Sequence, residues 1–353
     1  MSSSSPESAS AGQAPDPVSH GDSALAAYRV AERHVIEDVL RALLECEHQG
    51  QAASDERLAG LMVAPRETVL KALARASEAG LTENAREGWR LAPAGRDIAV
   101  RIMRAHRLIE TRLARESSLP PSRWHEVAHA AEHALTRDEV NRLADHLDNP
   151  RFDPHGDPIP TRDGLVPEPE GQPLLSWSLE EPGVISHLED EPPQLFARLV
   201  ASGLFAGMRF ELVARRGGAC VLRVEGRAVE LPGELAAMVR VRPLLASERP
   251  TAAGARRLSD LPRGGSGKVL RLLPGCIGRE RSRLLDLGFV PGSHIEHALQ
   301  SPFNGPAAFR LRGTLVALRR QQADQVLVLP ETPAGSAETT AGAAGQPDSP
   351  SHS

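Results

Sequence analysis

The 353-residue chain is 41% hydrophobic and 25% charged, the make-up of a folded globular protein of about two to four domains. Its net charge of −5 excludes nucleic-acid binding through overall basicity, so any DNA contact must come from a local surface. No apolar run approaches the ~18 residues of a membrane span, and the scattered Cys46, Cys220 and Cys276 form no metal-type spacing, as expected of a reduced cytoplasmic protein without membrane insertion.

Residues 1–24 lack the charged start and apolar centre of a signal peptide and read as a disordered tail. "VIEDVLRALLECEHQG" then puts Val35, Val39, Leu43 and Leu44 on one helix face and stops at Gly50. "SDERLAGLM" predicts a short helix with Ser54 as N-cap, and "PRETVLKALARASEAG" a third that opens at Pro65 and closes at Gly80. Val69, Ala72, Leu73 and Ala76 form the inner face of this third helix, with Arg66, Thr68 and Lys71 toward solvent. "LTENAREGWRLAPAG" reads as two short strands around a turn. Three helices and a hairpin in this order predict a winged helix-turn-helix over 25–95, with Arg66, Thr68 and Lys71 as DNA-contacting residues.

"GRDIAVRIMRAHRLIETRLARES" is one amphipathic helix carrying His106 and Glu110 four residues apart, hence on one face. The next helix carries His125, His129, Glu132 and His133, whose spacing keeps all four on one side. Six imidazoles and carboxylates on two neighbouring helices can make two sites for a borderline divalent cation. The stretch also contains His125-Glu126-Val127-Ala128-His129, the H-E-x-x-H pattern of zinc peptidases. A metzincin needs a third His where Leu135 stands, and a peptidase gives no reason for a winged helix upstream. A zinc hydrolase with Glu126 as base is therefore the weaker alternative, and no catalytic residue is assigned.

A Pro/Gly-rich break after about residue 148 ends the helical part, and a mostly β part follows. It repeats itself: both 198–241 and 283–328 read R-L-[VL]-x-x-G-[LF]-x-x-G, then strands around a Gly-containing hairpin at Gly226 or Gly313. Gly203/Gly207 and Gly288/Gly292 stand where a short helix hands over to a strand and suit positive φ. The repeat predicts two tandem small β-barrels, the second of them basic, with 12 Lys/Arg against 4 Asp/Glu over 256–320.

At "MRAHRLIE", "HEVAHAAEH" and "DPHGDPIP", residues 30–162 resemble the diphtheria-toxin-repressor family of iron- or manganese-dependent transcriptional regulators. Residues 258–329 resemble FeoA, an SH3-like barrel associated with ferrous-iron transport, and 174–243 the SH3-like third domain of many family members. The resemblance implies a multidomain α+β protein. Its parts are a winged helix-turn-helix, an all-α metal-binding and dimerisation domain at 96–162, a linker at 163–173, and SH3-like small β-barrels at 174–246 and 257–330. A linker at 247–256 joins the barrels, and 331–353 is a second disordered tail. It also implies roles: His106, Glu110 and His125 match the ancillary metal site, and Glu132 and His133 the primary one, completed here by His129 and, from the first helix, Asp38. Asp38 leans toward manganese, His129 fits neither metal type, and Arg41 replaces a further manganese-type Glu. Glu191 and Gln194 match a pair that reaches back to the ancillary site in iron-type members.

The expected function is a homodimeric repressor of metal-homeostasis genes, activated by Fe2+ or Mn2+ and bound to palindromic double-stranded DNA. Activation should weaken below about pH 6, because ligation needs neutral His. The rival reading is a FeoA-type ferrous-iron transport accessory protein that contacts a metal transporter through its second barrel.

Overall fold

The computed structural model describes residues 24–331 apart from 87, 246–247, 249–253 and 303–304; the two tails and most of the second linker lie outside these residues. The described residues fall into two compact units. One runs to residue 169 without 114–118; the other takes those five residues and everything from 170 onward. Among the described residues no helix is long and apolar enough to cross a membrane.

The first unit opens with α1 (Val30–His48), which buries Ile36, Val39, Leu40, Leu43 and Leu44 at three- and four-residue spacing and ends at Gly50 with φ +64°. In α2 (Asp55–Leu61) the Ser54 hydroxyl accepts the Arg57 N–H at 3.2 Å, closing the helix start. α3 (Arg66–Glu78) begins one residue after Pro65, which keeps extended ψ and acts as N-cap rather than as the first helical residue. It buries the expected Val69, Ala72, Leu73 and Ala76. β1 (Thr82–Ala85) and β2 (Gly88–Leu91) pair antiparallel, Thr82 opposite Leu91, and complete a winged helix-turn-helix.

The wing hands over to α4 (Pro93–Glu116) at a point of close backbone approach. A Cβ on Gly95 would lie 2.0 Å from the Leu81 carbonyl oxygen, the same oxygen that accepts the Ala92 N–H. Gly95→Ala should therefore lower stability by about 1–3 kcal/mol, despite alanine's better helix propensity, because a backbone carbonyl cannot rotate aside. Thermal unfolding checks this; an unchanged or raised Tm contradicts the assigned packing. α5 (Trp124–Glu132) and α6 (Arg137–His146) complete the helical part, α6 starting in a Thr136–Glu139 capping box. Ala105, Leu108, Ile109, Ala128, Val140 and Leu143 form their own core with the end of α4, separate from that of the winged helix.

The second unit contains two six-stranded antiparallel sheets with equivalent strand order. The first comprises β3 (Gln172–Pro173), β4 (Pro182–Leu188), β5 (Arg209–Arg216), β6 (Ala219–Val224), β7 (Arg227–Leu231) and β8 (Val239–Pro243). The second comprises β9 (Arg256–Arg257), β10 (Ser266–Leu272), β11 (His294–Gln300), β12 (Ala307–Leu311), β13 (Thr314–Leu318) and β14 (Val326–Pro330). The repeat read from sequence extends to backbone detail. Gly203, Gly207, Gly288 and Gly292 all have positive φ, and so do both hairpin pairs, Glu225-Gly226 and Arg312-Gly313. Even the bulges recur, after Leu212 in β5 and after His297 in β11, so buried His297 takes the register position of core Leu212.

The barrels also touch. Glu225, in the first barrel's hairpin turn, pairs with Arg271, and its carbonyl accepts from Arg257 at 3.4 Å. Arg227 pairs with Asp324, whose carbonyl accepts from Arg257 at 2.8 Å. Part of the second barrel's basic charge thus meets an acidic turn of its sister repeat.

Candidate metal centre

Three helices of the first unit supply the site. On α1, adjacent residues point about 100° apart. Glu37 turns into the core, 2% exposed, while half-buried Asp38 faces the side chains of α5. α4 contributes His106 and Glu110, one turn apart and both buried; α5 and its C-cap contribute His125, His129, Glu132 and His133. The chain can place these groups so deep because each has a partner on another helix, without which a buried charge is severely disfavoured.

Two groups result, each with its ligand atoms within 4.8 Å of one another: Asp38, His129, Glu132 and His133, and His106, Glu110 and His125. In the first, His133 Nε2 lies 3.2 Å from Asp38 Oδ1 and 3.6 Å from Glu132 Oε1, and His129 Nδ1 is 3.0 Å from that same Glu132 oxygen. In the second, His106 Nε2 is 3.1 Å and His125 Nδ1 3.7 Å from Glu110 Oε1. His106 links the groups, its Nδ1 bonding the other oxygen of Glu132.

Opposite charges dominate the electrostatics. Burial disfavours the His106 imidazolium, but the Glu110 charge and hydrogen bonds to Glu110 and Glu132 outweigh it and raise its pKa to about 9. His133 likewise reaches about 9, burial being overcome by the Asp38 and Glu37 carboxylates beside its ring. Burial pushes Glu132 upward, yet His106, His129 and Arg41 hold its carboxyl well below the usual range. Glu110 is lowered in the same way by His106 and His155.

The donor set fits a divalent ion. Two carboxylates and two imidazoles suit a borderline cation better than a soft one. Asp38 Oδ1 is buried without a hydrogen bond, an orphan that a cation at the centre of the group would satisfy.

Sequence reasoning missed several participants. Asp153 and His155, in "DPHGDPIP", form a third group with Glu110, whose Oε2 is 3.5 Å from His155 Nδ1. Three successive N–H groups, of His155, Gly156 and Asp157, donate to Asp153 Oδ1 at 2.9 Å each, and burial with nearby Asp157 pushes its carboxyl up to about 7. The loop is anchored by Arg107, which donates to the Pro158 carbonyl at 2.6 Å. Its prolines gave a local signal, but its approach to Glu110 is tertiary. Arg41, in sequence only a departure from a carboxylate, has its Nε 3.8 Å from Glu132 Oε1, so a cation of the chain already borders the first group.

Other candidates sit elsewhere. Glu126 is exposed and pairs with Arg123 at 2.7 Å, off the face that carries the clustered histidines. Glu191 and Gln194 lie in the second unit, both exposed, before and within the first turn of α7 (Pro193–Ala201). On α3, Arg66 and Lys71 are exposed and Thr68 half-buried; Arg66 pairs with Asp55 at 2.8 Å and Lys71 with Glu67 at 2.6 Å.

Comparison with known proteins follows the same division. The family described as "Iron dependent repressor, metal binding and dimerisation domain" matches residues 92–161, and the FeoA domain matches 172–243 and 256–330. The iron-dependent repressor IdeR of Mycobacterium tuberculosis is 30% identical over 216 residues, which cover 57% of this chain and 94% of that protein. The diphtheria toxin repressor of Corynebacterium diphtheriae is 28% identical over 219 residues, covering 58% and 95%. A solved manganese-dependent transcriptional repressor in complex with manganese shows a TM-score of 0.52 at 28% identity, over 59% of this chain and 99% of that one.

Proposed function

This chain belongs to the iron-dependent repressor family, and from that premise we propose that Asp38, His129, Glu132 and His133 hold its activating ion, with His106, Glu110 and His125 as a second position. The protein is a metal-dependent transcriptional repressor whose cofactor is a divalent transition metal, Fe2+ or Mn2+. One observation carries the site assignment: four ligand atoms from α1 and α5 converge within 4.8 Å, one of them the orphaned Asp38 oxygen. Glu110 is shared with Asp153 and His155, which extends the second position.

When bound, the ion supplies positive charge that draws donors of separate helices together. Asp38 belongs to the first helix of the winged domain and the other three donors to α5, so ligation ties the reading head to the helical domain. Its family binds DNA and dimerises. We read the chain as a homodimer, without catalytic function, whose paired α3 helices meet successive major grooves of a palindromic operator. The ion promotes that state by binding it more tightly than the alternatives, which is corepression in thermodynamic terms. The boundaries that serve this reading are 25–95 for the DNA-binding head, 96–162 for the metal-binding and dimerisation domain, and 174–246 and 257–330 for the barrels.

Titrating the purified protein and operator DNA with Fe2+, Mn2+ and Zn2+ tests the reading. DNA affinity should rise with an ion and stay low with chelator; an affinity indifferent to all three overturns it. Lys71 meets DNA phosphate at the cost of its exposed pair with Glu67. Lys71→Ala should therefore weaken binding uniformly across sequences and reduce the slope of log affinity against log salt by about 1. An unchanged slope removes Lys71 from the interface.

A further inference from the structure

We propose that Glu37 is a positioning residue for the metal centre: it orients the His133 ring so that Nε2, and not Nδ1, faces the ion. The inference rests on the site assignment above but concerns a residue outside the ligand set. Glu37 Oε2 lies 2.7 Å from His133 Nδ1, and a carboxylate only accepts, so Nδ1 carries the hydrogen of that bond. The opposite nitrogen, Nε2, is the one 3.2 Å from Asp38 Oδ1 and 3.6 Å from Glu132 Oε1, where the ligand atoms gather. A carboxylate behind a ligating imidazole fixes tautomer and ring direction and strengthens the donor.

Glu37 is itself held. Its Oε1 accepts from Arg101 of α4 at 3.1 Å, and Arg101 also donates to the Leu135 carbonyl, just beyond α5, at 3.1 Å. Both charges are buried, 2% and 8% exposed in their side chains, so the pair is stiff and shielded from water. The His34 ring stacks on His133 at 4.4 Å with planes 13° apart, closing the remaining freedom of the imidazole. Because Glu37 and Asp38 are neighbours on α1, one helix delivers both a ligand and the group that aims another ligand.

Co2+ titrations followed by visible absorption and by calorimetry test this, using wild type, Glu37→Gln, Glu37→Ala and the double variant Glu37→Leu/Arg101→Met. The double variant leaves no unpaired buried charge, so its ion-free Tm should recover relative to Glu37→Ala. It should nevertheless bind Co2+ at the Asp38 group about 10- to 100-fold more weakly, with a changed ligand-field spectrum. The phase assigned to His106, Glu110 and His125 should stay at wild-type affinity. Glu37→Gln keeps an oxygen that can accept from Nδ1–H but not the charge that strengthens the donor, and should bind more weakly than wild type and more tightly than the double variant. A double variant with wild-type affinity and spectrum overturns the proposal, as does affinity that merely follows Tm across the series. Wild-type protein that takes up no Co2+ overturns the site assignment instead.

Discussion

Glu132→Ala is expected to abolish metal-dependent DNA binding and to destabilise the ion-free protein by about 3–5 kcal/mol. Its side chain is fully buried and its two oxygens serve different partners: Oε2 bonds His106, while Oε1 faces His129 at 3.0 Å and Arg41 at 3.8 Å. Truncation takes this carboxylate from Arg41 and from the Nδ1 side of buried His106, which keeps only Glu110 as counter-ion, and that is why the cost exceeds that of an exposed pair. Glu132→Gln separates the two effects. It keeps the shape and one oxygen acceptor but removes the charge that an ion requires, so metal affinity should fall at least about 100-fold with a smaller loss of Tm. Thermal unfolding and metal titration of both variants provide the check. A Glu132→Ala protein that still responds to metal would show that the ion sits elsewhere.

The ion-free protein should lose stability as pH rises from about 6.5 to about 9, the reverse of ordinary acid denaturation. His106 and His133 are raised to about 9 by the carboxylates around them, so the folded state holds their protons more tightly than the unfolded chain does. Their contribution is complete below the unfolded value near 6.5 and is lost as pH passes through about 9. At about 1.4 kcal/mol for each unit of displacement, the two together are worth on the order of several kcal/mol. Glu132 and Glu110 act oppositely. Held low in the fold, they stabilise above the ordinary carboxylate range, and that contribution is lost as pH falls through it. Buried Asp153, raised to about 7, also costs stability as pH rises, but over the lower range from about 3.8 to about 7, since the folded state resists its ionisation. The histidine and glutamate contributions are therefore both complete between about pH 4.5 and 6.5.

Metal reverses this trend, because ligation needs neutral imidazole. Affinity should climb up to about pH 9, and binding near neutrality should release protons from His106 and His133. Calorimetry in buffers of different ionisation enthalpy measures that release; binding with no proton release between pH 7 and 8 contradicts the scheme. The histidines alone lead one to expect competition only below about pH 6. The window moves upward because Glu110, Glu132, Asp38 and Glu37 stabilise the charged rings, and no spacing rule reveals that neighbourhood.

Features that depend on short-range periodicity are legible in the chain alone. Helical spacing put His106 with Glu110, and His129 with Glu132 and His133, on common faces; capping and glycine signals marked Ser54 and Gly50; and self-similarity disclosed the duplicated barrel down to its turn glycines. Which faces meet is a matter of three-dimensional packing. It made Glu37 an orienting carboxylate while its neighbour Asp38 faces the cluster, a distinction of about 100° around one helix that means nothing until α4 and α5 pack against α1. It brought Asp153 and His155 of an irregular loop to Glu110, and turned Arg41 from an apparent departure into a cation beside Glu132. It also docked the acidic turn at Glu225 on the arginines of the second barrel. The reason is physical: backbone geometry repeats every few residues and is written locally, whereas the protonation and direction of a buried side chain are set by charges brought close from distant parts of the chain, and those distances exist only in the folded state.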